Sequence, residues 1–165
     1  QRFFRGEVDK YTWVDVGSSY VPSEICSAFL YGQLEELDRI TQRRQQIYLR
    51  YRNALRSFEQ RGLLQLPCVP EDCVSNHHLF YVILPTPALR DSLLDQFRAS
   101  GIRAVFHYIP LHNSPFGTQL CGPIRLPNTE ALSARLIRLP VFNDITNGEI
   151  DAVIASIQTA MTNWK

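Results

Sequence analysis

The stretch LFYVILPTPALRDSLLDQFRASGIRAVFHY, residues 79–108, decides the fold. Its first six residues are all apolar or aromatic and are followed by Pro85 and Pro87, the pattern of a short buried strand. Residues 88–100 then place Leu93, Leu94 and Phe97 at helical spacing, and Gly101 supplies the stop. Residues 102–108 follow as a second strand. Strand, helix and strand in that order predict an α/β arrangement, a small sheet with helices packed on one face. Downstream, residues 109–128 hold four prolines and two glycines and read as a long loop, which in a compact domain is more often functional than idle. A short helix over 129–136, a short strand over 138–141 and a final helix over 146–164 complete the pattern. That last helix carries Ile150, Val153, Ile154, Ile157 and Met161 on one face.

Working upstream, the pattern is helical across residues 23–61. Ile25, Phe29, Leu30, Leu34, Leu37 and Ile40 recur at three and four residue steps, then Ile47, Tyr51, Leu55 and Phe58. Ser23 is placed to cap the start and Gly62 to stop the end. At ~1.5 Å per residue one such helix would exceed about 50 Å, longer than a compact domain of this size needs. It is expected to bridge two bodies, or to bend near Gly32 or within 41–46. Arg39, Arg43 and Arg44, set among glutamines, read as a solvated helix face. Residues 1–22 read as loop and short strand. The expected organisation is therefore a leading segment, 1–22, a long interdomain helix, 23–61, and a C-terminal domain, 62–165.

Composition narrows the function. The chain has 165 residues, 45% hydrophobic and 20% charged, with 17 basic against 16 acidic residues for a net charge of +1. Without a strong field there is no electrostatic case for nucleic acid or an anionic membrane. No apolar run approaches the ~20 residues of a membrane span, so a soluble, cytoplasmic protein is expected. Lys10 and Lys165 are the only lysines, which leaves little for chemistry that needs an amine nucleophile. The single methionine is Met161 and residue 1 is Gln, the mark of a piece of a longer polypeptide. Cys26, Cys68, Cys73 and Cys121 stand at unrelated spacings, a poor basis for a zinc site or a redox motif.

Two polar patches remain. His107, Tyr108 and His112 stand at the end of a strand before the proline-rich loop, and suit either the rim of a polar ligand pocket or internally bonded strand-end positions. A metal site there would want a third ligand that the nearby sequence does not supply. The turn at residues 17–20, GSSY, suits a phosphate at a helix N-terminus or an ordinary capping turn. His77 and His78 read as a turn before the first strand. There is no Ser, His and acid constellation and no glycine-rich phosphate loop.

Three strings add a resemblance: FFRGEVDKYTWVDVGSSYVPSEICSAFLYGQLEELDRI at 3–40, AVFHYIPLH at 104–112, and RLIRLPVFNDIT at 135–146. Together they are similar to the C-terminal half of the nucleotide-sugar aminotransferases of the DegT/DnrJ/EryC1/StrS family, in one register from residue 3 to about 163. The resemblance implies the C-terminal small domain of a fold type I aminotransferase, joined by a long helix to a large domain that binds pyridoxal 5'-phosphate. It implies a homodimer with shared active sites, and transfer of an amino group from glutamate to a keto sugar nucleotide. The Schiff-base lysine of the family belongs to the large domain, upstream of this sequence. Lys10 matches a different lysine of the family, so the segment alone is expected to be inactive.

By the same resemblance, Ser19 stands where many members have an Asn that reaches the cofactor phosphate of the other subunit, while Val21 replaces an Arg of that turn. His107, Tyr108 and His112 match the family's H-Y-x-P-x-H segment, which approaches the sugar and the cofactor edge. Arg5, Tyr11 and Trp13 match the region lining the substrate channel, and for Tyr11 and Trp13 packing at the dimer interface stands beside that role. The alternatives are a stand-alone sugar-nucleotide-binding or oligomerisation module without catalysis, and a sugar dehydratase of the same fold.

Overall fold

The computed structural model describes residues 20–164. Ser19, Arg5, Tyr11, Trp13 and both lysines therefore lie outside the described residues. The chain divides into two units, Gln1–Glu36 and Leu37–Lys165.

Within the first unit, helix α1 spans Glu24–Glu35, and the Ser23 side chain accepts a hydrogen bond from the Cys26 amide as its N-cap. None of its residues is buried. The expected single helix over 23–61 is divided here: Glu36 leaves helical geometry at φ −98° and ψ 9°. The break falls four residues beyond Gly32 and ahead of the polar stretch at 41–46.

The second unit begins with α2, Leu37–Gln60, which buries Ile40, Ile47, Tyr48, Tyr51, Leu55 and Phe58 as one stripe. Gly62, at φ +70°, takes the left-handed turn after it. Strand β1, Phe80–Ile83, pairs antiparallel with β2, Leu136–Leu139, with Phe80 opposite Leu139 and Ile83 opposite Leu136. Single bridges extend the sheet on both sides, Gln65 to Ile83 and Val105 to Arg138. Between the strands come α3 (Pro87–Ala99), a 3-10 turn (Leu111–Asn113), α4 (Pro115–Cys121) and α5 (Pro127–Ser133), and α6 (Asn147–Asn163) closes the unit.

One core joins α2, α3, α6 and the two strands. Phe80 packs its ring against Tyr48 and Tyr51 of α2, at centroid distances of 5.0 and 5.3 Å. Phe97 of α3 and Ile150, Val153, Ile157 and Met161 of α6 fill the remainder, as the apolar face of the last helix predicts. The Tyr51 hydroxyl donates to the Pro140 carbonyl at 3.0 Å and the Tyr48 hydroxyl to the Pro67 carbonyl at 3.3 Å, which satisfies both phenols carried into that core. Arg43 is tied down rather than solvated: its guanidinium donates to the carbonyls of Asn143 and Ile145, fastening α2 to the loop before α6.

Two further differences from the sequence expectation have physical causes. The strand expected over 102–108 contracts to one bridge at Val105, whose amide and carbonyl exchange hydrogen bonds of 3.1 and 2.7 Å with Arg138. Toward residue 103 the next pairing position is Pro140, just past the end of β2, which has no N–H to extend that ladder. The expected loop over 109–128 contains α4, because Ser114 and Pro115 form a helix start that outweighs the density of prolines: the Ser114 hydroxyl accepts from the Gly117 amide at 3.0 Å and Pro115 takes the first helical position. His77 lies in irregular chain before β1, at φ +51°, with its amide donating to the Ser75 hydroxyl at 3.0 Å.

Candidate functional site

The bridge at Val105 fixes where the next residues go. Phe106, His107, Tyr108 and Ile109 leave the sheet edge with exposed side chains, Tyr108 at 73%. The His107 and Tyr108 rings meet edge to face at a centroid distance of 4.8 Å. Beside them runs a groove of about 410 Å³, lined by Arg90, Leu94, Phe106, Tyr108, Ile109 and Ser133 among others. Arg90 brings a charged group into it, paired with Asp91 at 2.7 Å. The groove thus offers a phenol, the Arg90–Asp91 ion pair and apolar walls, groups suited to holding a hydroxylated ligand by its edges.

His112 is placed differently. Its side chain is only 9% exposed, and its Nε2 lies 3.1 Å from Glu130 Oε1. The main chain around it is equally committed. The Thr118 hydroxyl donates to the His112 carbonyl at 3.1 Å, and the Ser114 hydroxyl donates to the Leu111 carbonyl at 2.7 Å. The backbones of residues 111 and 117 approach so closely that a Cβ on Gly117 would fall 1.9 Å from the Leu111 carbonyl oxygen. The segment that follows the exposed His107 and Tyr108 is therefore tied by its own hydrogen bonds, although most of its side chains face solvent. The structure brings those two together at the surface and turns His112 inward.

Glu130 is the residue the sequence reading missed. Hydrogen bonds from the Leu126 amide and then from His112 hold its carboxyl below the usual carboxylate range. A signal for it was present in the sequence, since an acidic residue in the first turn of a proline-led helix is a capping candidate. Its partner, 18 residues upstream, has no sequence signature.

Two larger cavities lie apart from this segment. One, of about 450 Å³, is lined by residues including Arg103, Phe142 and Val153; the other, of about 570 Å³, by residues including Thr41, Arg52, Cys68 and His77. Among the described residues no group of three His, Cys, Asp or Glu side chains converges to hold a metal ion, and all four cysteines are exposed and free. No described helix is long and apolar enough to cross a membrane.

Solved structures with the same fold include DesV of S. venezuelae in complex with a ketimine intermediate, at 26% identity and a TM-score of 0.82 over 97% of this chain and 42% of that one. A DegT DnrJ EryC1 StrS aminotransferase from Brucella abortus aligns at 26% identity and a TM-score of 0.75, over 92% of this chain and 39% of that one. The Helicobacter pylori aminotransferase PseC, involved in the biosynthesis of pseudoaminic acid, shares the fold at 20% identity and a TM-score of 0.79, over 95% and 43%. The chain thus spans about two fifths of the length of these relatives and aligns with part of a fold type I aminotransferase. The family's enzymes depend on pyridoxal phosphate. The described residues contain no lysine, so they supply no amine to bind its aldehyde. The model of the DegT/DnrJ/EryC1/StrS aminotransferase family matches residues 2–158, and the chain belongs to that family.

Proposed function

We propose that this chain is the C-terminal portion of a cytoplasmic, homodimeric sugar-nucleotide aminotransferase that moves an amino group from glutamate to the 4-keto group of a dTDP-6-deoxyhexose. The product would be of the dTDP-4-amino-4,6-dideoxygalactose type, a precursor in the enterobacterial common antigen pathway. The observation that carries the reading is the exposed His107 and Tyr108 pair, with Tyr108 lining a groove, in a chain matched by the family along residues 2–158. In it His107 and Tyr108 contact the sugar from the C-terminal domain. Arg5, Tyr11 and Trp13 line the channel, and the Ser19 hydroxyl donates to the cofactor phosphate of the partner subunit.

The large domain would bring the Schiff-base lysine and the cofactor, and the present segment alone would be inactive. Its proposed partners are that domain, a second copy of the whole polypeptide, the sugar nucleotide and glutamate. Incubating the parent enzyme with glutamate and a dTDP-4-keto-6-deoxyhexose should yield 2-oxoglutarate and an amino sugar with nitrogen on C4, read by NMR. Absence of transfer to any 4-keto sugar nucleotide overturns the substrate reading. A stable Schiff-base absorbance in the 165-residue chain with added pyridoxal phosphate, lost in Lys10→Ala, overturns the inactivity of the segment.

A further inference from the structure

The Leu126 position that opens α5 has no side chain able to accept a hydrogen bond, and no side-chain cap forms there. Glu130, one turn into that helix, fills the gap from the other direction. Its Oε1 accepts from the Leu126 amide at 2.9 Å, and the same oxygen lies 3.1 Å from His112 Nε2. The second contact closes the whole segment between residues 112 and 130 into a ring, although each end carries a bonded helical turn of its own. His112 is then held twice, by Glu130 at its imidazole and by the Thr118 hydroxyl at its carbonyl. Only three residues separate it from Tyr108, and one of them, Pro110, is fixed at φ −53°. Little slack remains between the clamped imidazole and the exposed ring pair.

We infer that Glu130 is a positioning residue, which acts through His112 to fix where His107 and Tyr108 stand. This rests on the functional reading only in that those two rings meet the substrate. It reassigns His112 from substrate contact to anchor. A carboxylate suits the task because one oxygen can accept from an amide and an imidazole together, and bonds to an ionised acceptor are the stronger ones.

The test is NMR of the 165-residue chain with labelled histidine and tyrosine. In Glu130→Ala the His112 Nε2 resonance should lose its hydrogen-bonded position, and Leu126 amide exchange should accelerate about tenfold. The cross-peaks between the His107 and Tyr108 rings should weaken. Glu130→Gln keeps an acceptor oxygen and should restore the cross-peaks in large part. A residue that only caps α5 would speed exchange at Leu126 and leave the His112, His107 and Tyr108 signals where they are; that result overturns the proposal. Should Glu130→Ala fail to fold, His112→Ala decides, because it keeps the Leu126 cap and removes only the clamp. Unchanged His107 and Tyr108 signals in that variant also overturn the proposal. A parent enzyme without transaminase activity would refute the functional reading and leave these spectra unaffected.

Discussion

Helices α1 and α2 invert what composition alone suggests. The twelve residues of α1 include Ile25, Phe29, Leu30, Tyr31 and Leu34, yet all are exposed, Ile25 at 84% and Phe29 at 72%. The longer α2 is dense in arginine and glutamine, yet it buries six side chains. The difference lies in what each helix is given to pack against. Tyr48 and Tyr51 meet Phe80 of the sheet, and the same stripe of α2 shares a core with Ile150 and Ile157 of α6. Apolar content measures what a helix would gain by burial, but whether it gains it depends on a complementary surface.

The most severe way to break that comparison is to delete the same ring from each region. Phe97→Ala removes a fully buried side chain from the core and should cost about 3–5 kcal/mol, a large part of the ~5–15 kcal/mol that holds a typical domain together. Phe29→Ala removes an exposed ring and should stay within about 0.5 kcal/mol in the same denaturant titration. It should also reduce self-association in sedimentation, since the exposed face of α1 is the kind of apolar patch that associates. A loss at Phe29 comparable to that at Phe97 would mean that the exposed face of α1 contributes to stability as a core face does.

The same contrast explains which features could be read from the sequence. The helices around Leu93 and Ile150, and the strand at 80–83, were legible because period and stop signals agreed with the final packing. The break at Glu36 was not, because the apolar spacing runs through it from Leu34 to Leu37 and Ile40 without interruption. The proline count over 109–128 suggested irregular chain, whereas Ser114 and Pro115 start a helix by ordinary capping. At the site, exposure of His107 and Tyr108 follows from the end of pairing at Val105. The inward turn of His112 depends on a carboxylate 18 residues away, and such tertiary pairings leave no local trace.

A sharper probe uses one substitution with opposite signs. In α1, Gly32 has open space around its Cβ position, so Gly32→Ala should raise helix stability by about 0.5–1 kcal/mol. Gly117 is also helical, but there the new methyl would collide with the Leu111 carbonyl, and the residues that support His107 and Tyr108 would have to move. A cost of about 1–3 kcal/mol is expected, together with a change in the His107 and Tyr108 resonances. Circular dichroism reads the first and a denaturant midpoint the second. Equal signs for the two variants would mean that the approach of residues 111 and 117 relaxes without resistance.

The smallest effect separates the helix caps. Both α1 and α6 begin with a hydroxyl cap, Ser23 in one and Thr146 in the other, but only α6 adds a carboxylate. Glu149 accepts from the Thr146 amide at 2.7 Å, and that bond, followed by one from the Thr146 hydroxyl, holds its carboxyl below the usual range. A lowered value in the folded state means that the native protein binds this proton less readily than the unfolded chain does. The contribution is therefore complete above about pH 4.3, the ordinary glutamate value, and fades as pH falls through that value toward the lowered one. In Glu149→Gln, stability between pH 6 and pH 3 should fall less steeply than in the wild type, while Ser23→Ala should leave the slope unchanged. Because Glu149 is exposed, the difference should be modest and should shrink further in high salt. An unchanged acid slope in Glu149→Gln would mean that the cap of α6 works through the Thr146 hydroxyl alone, as that of α1 works through Ser23.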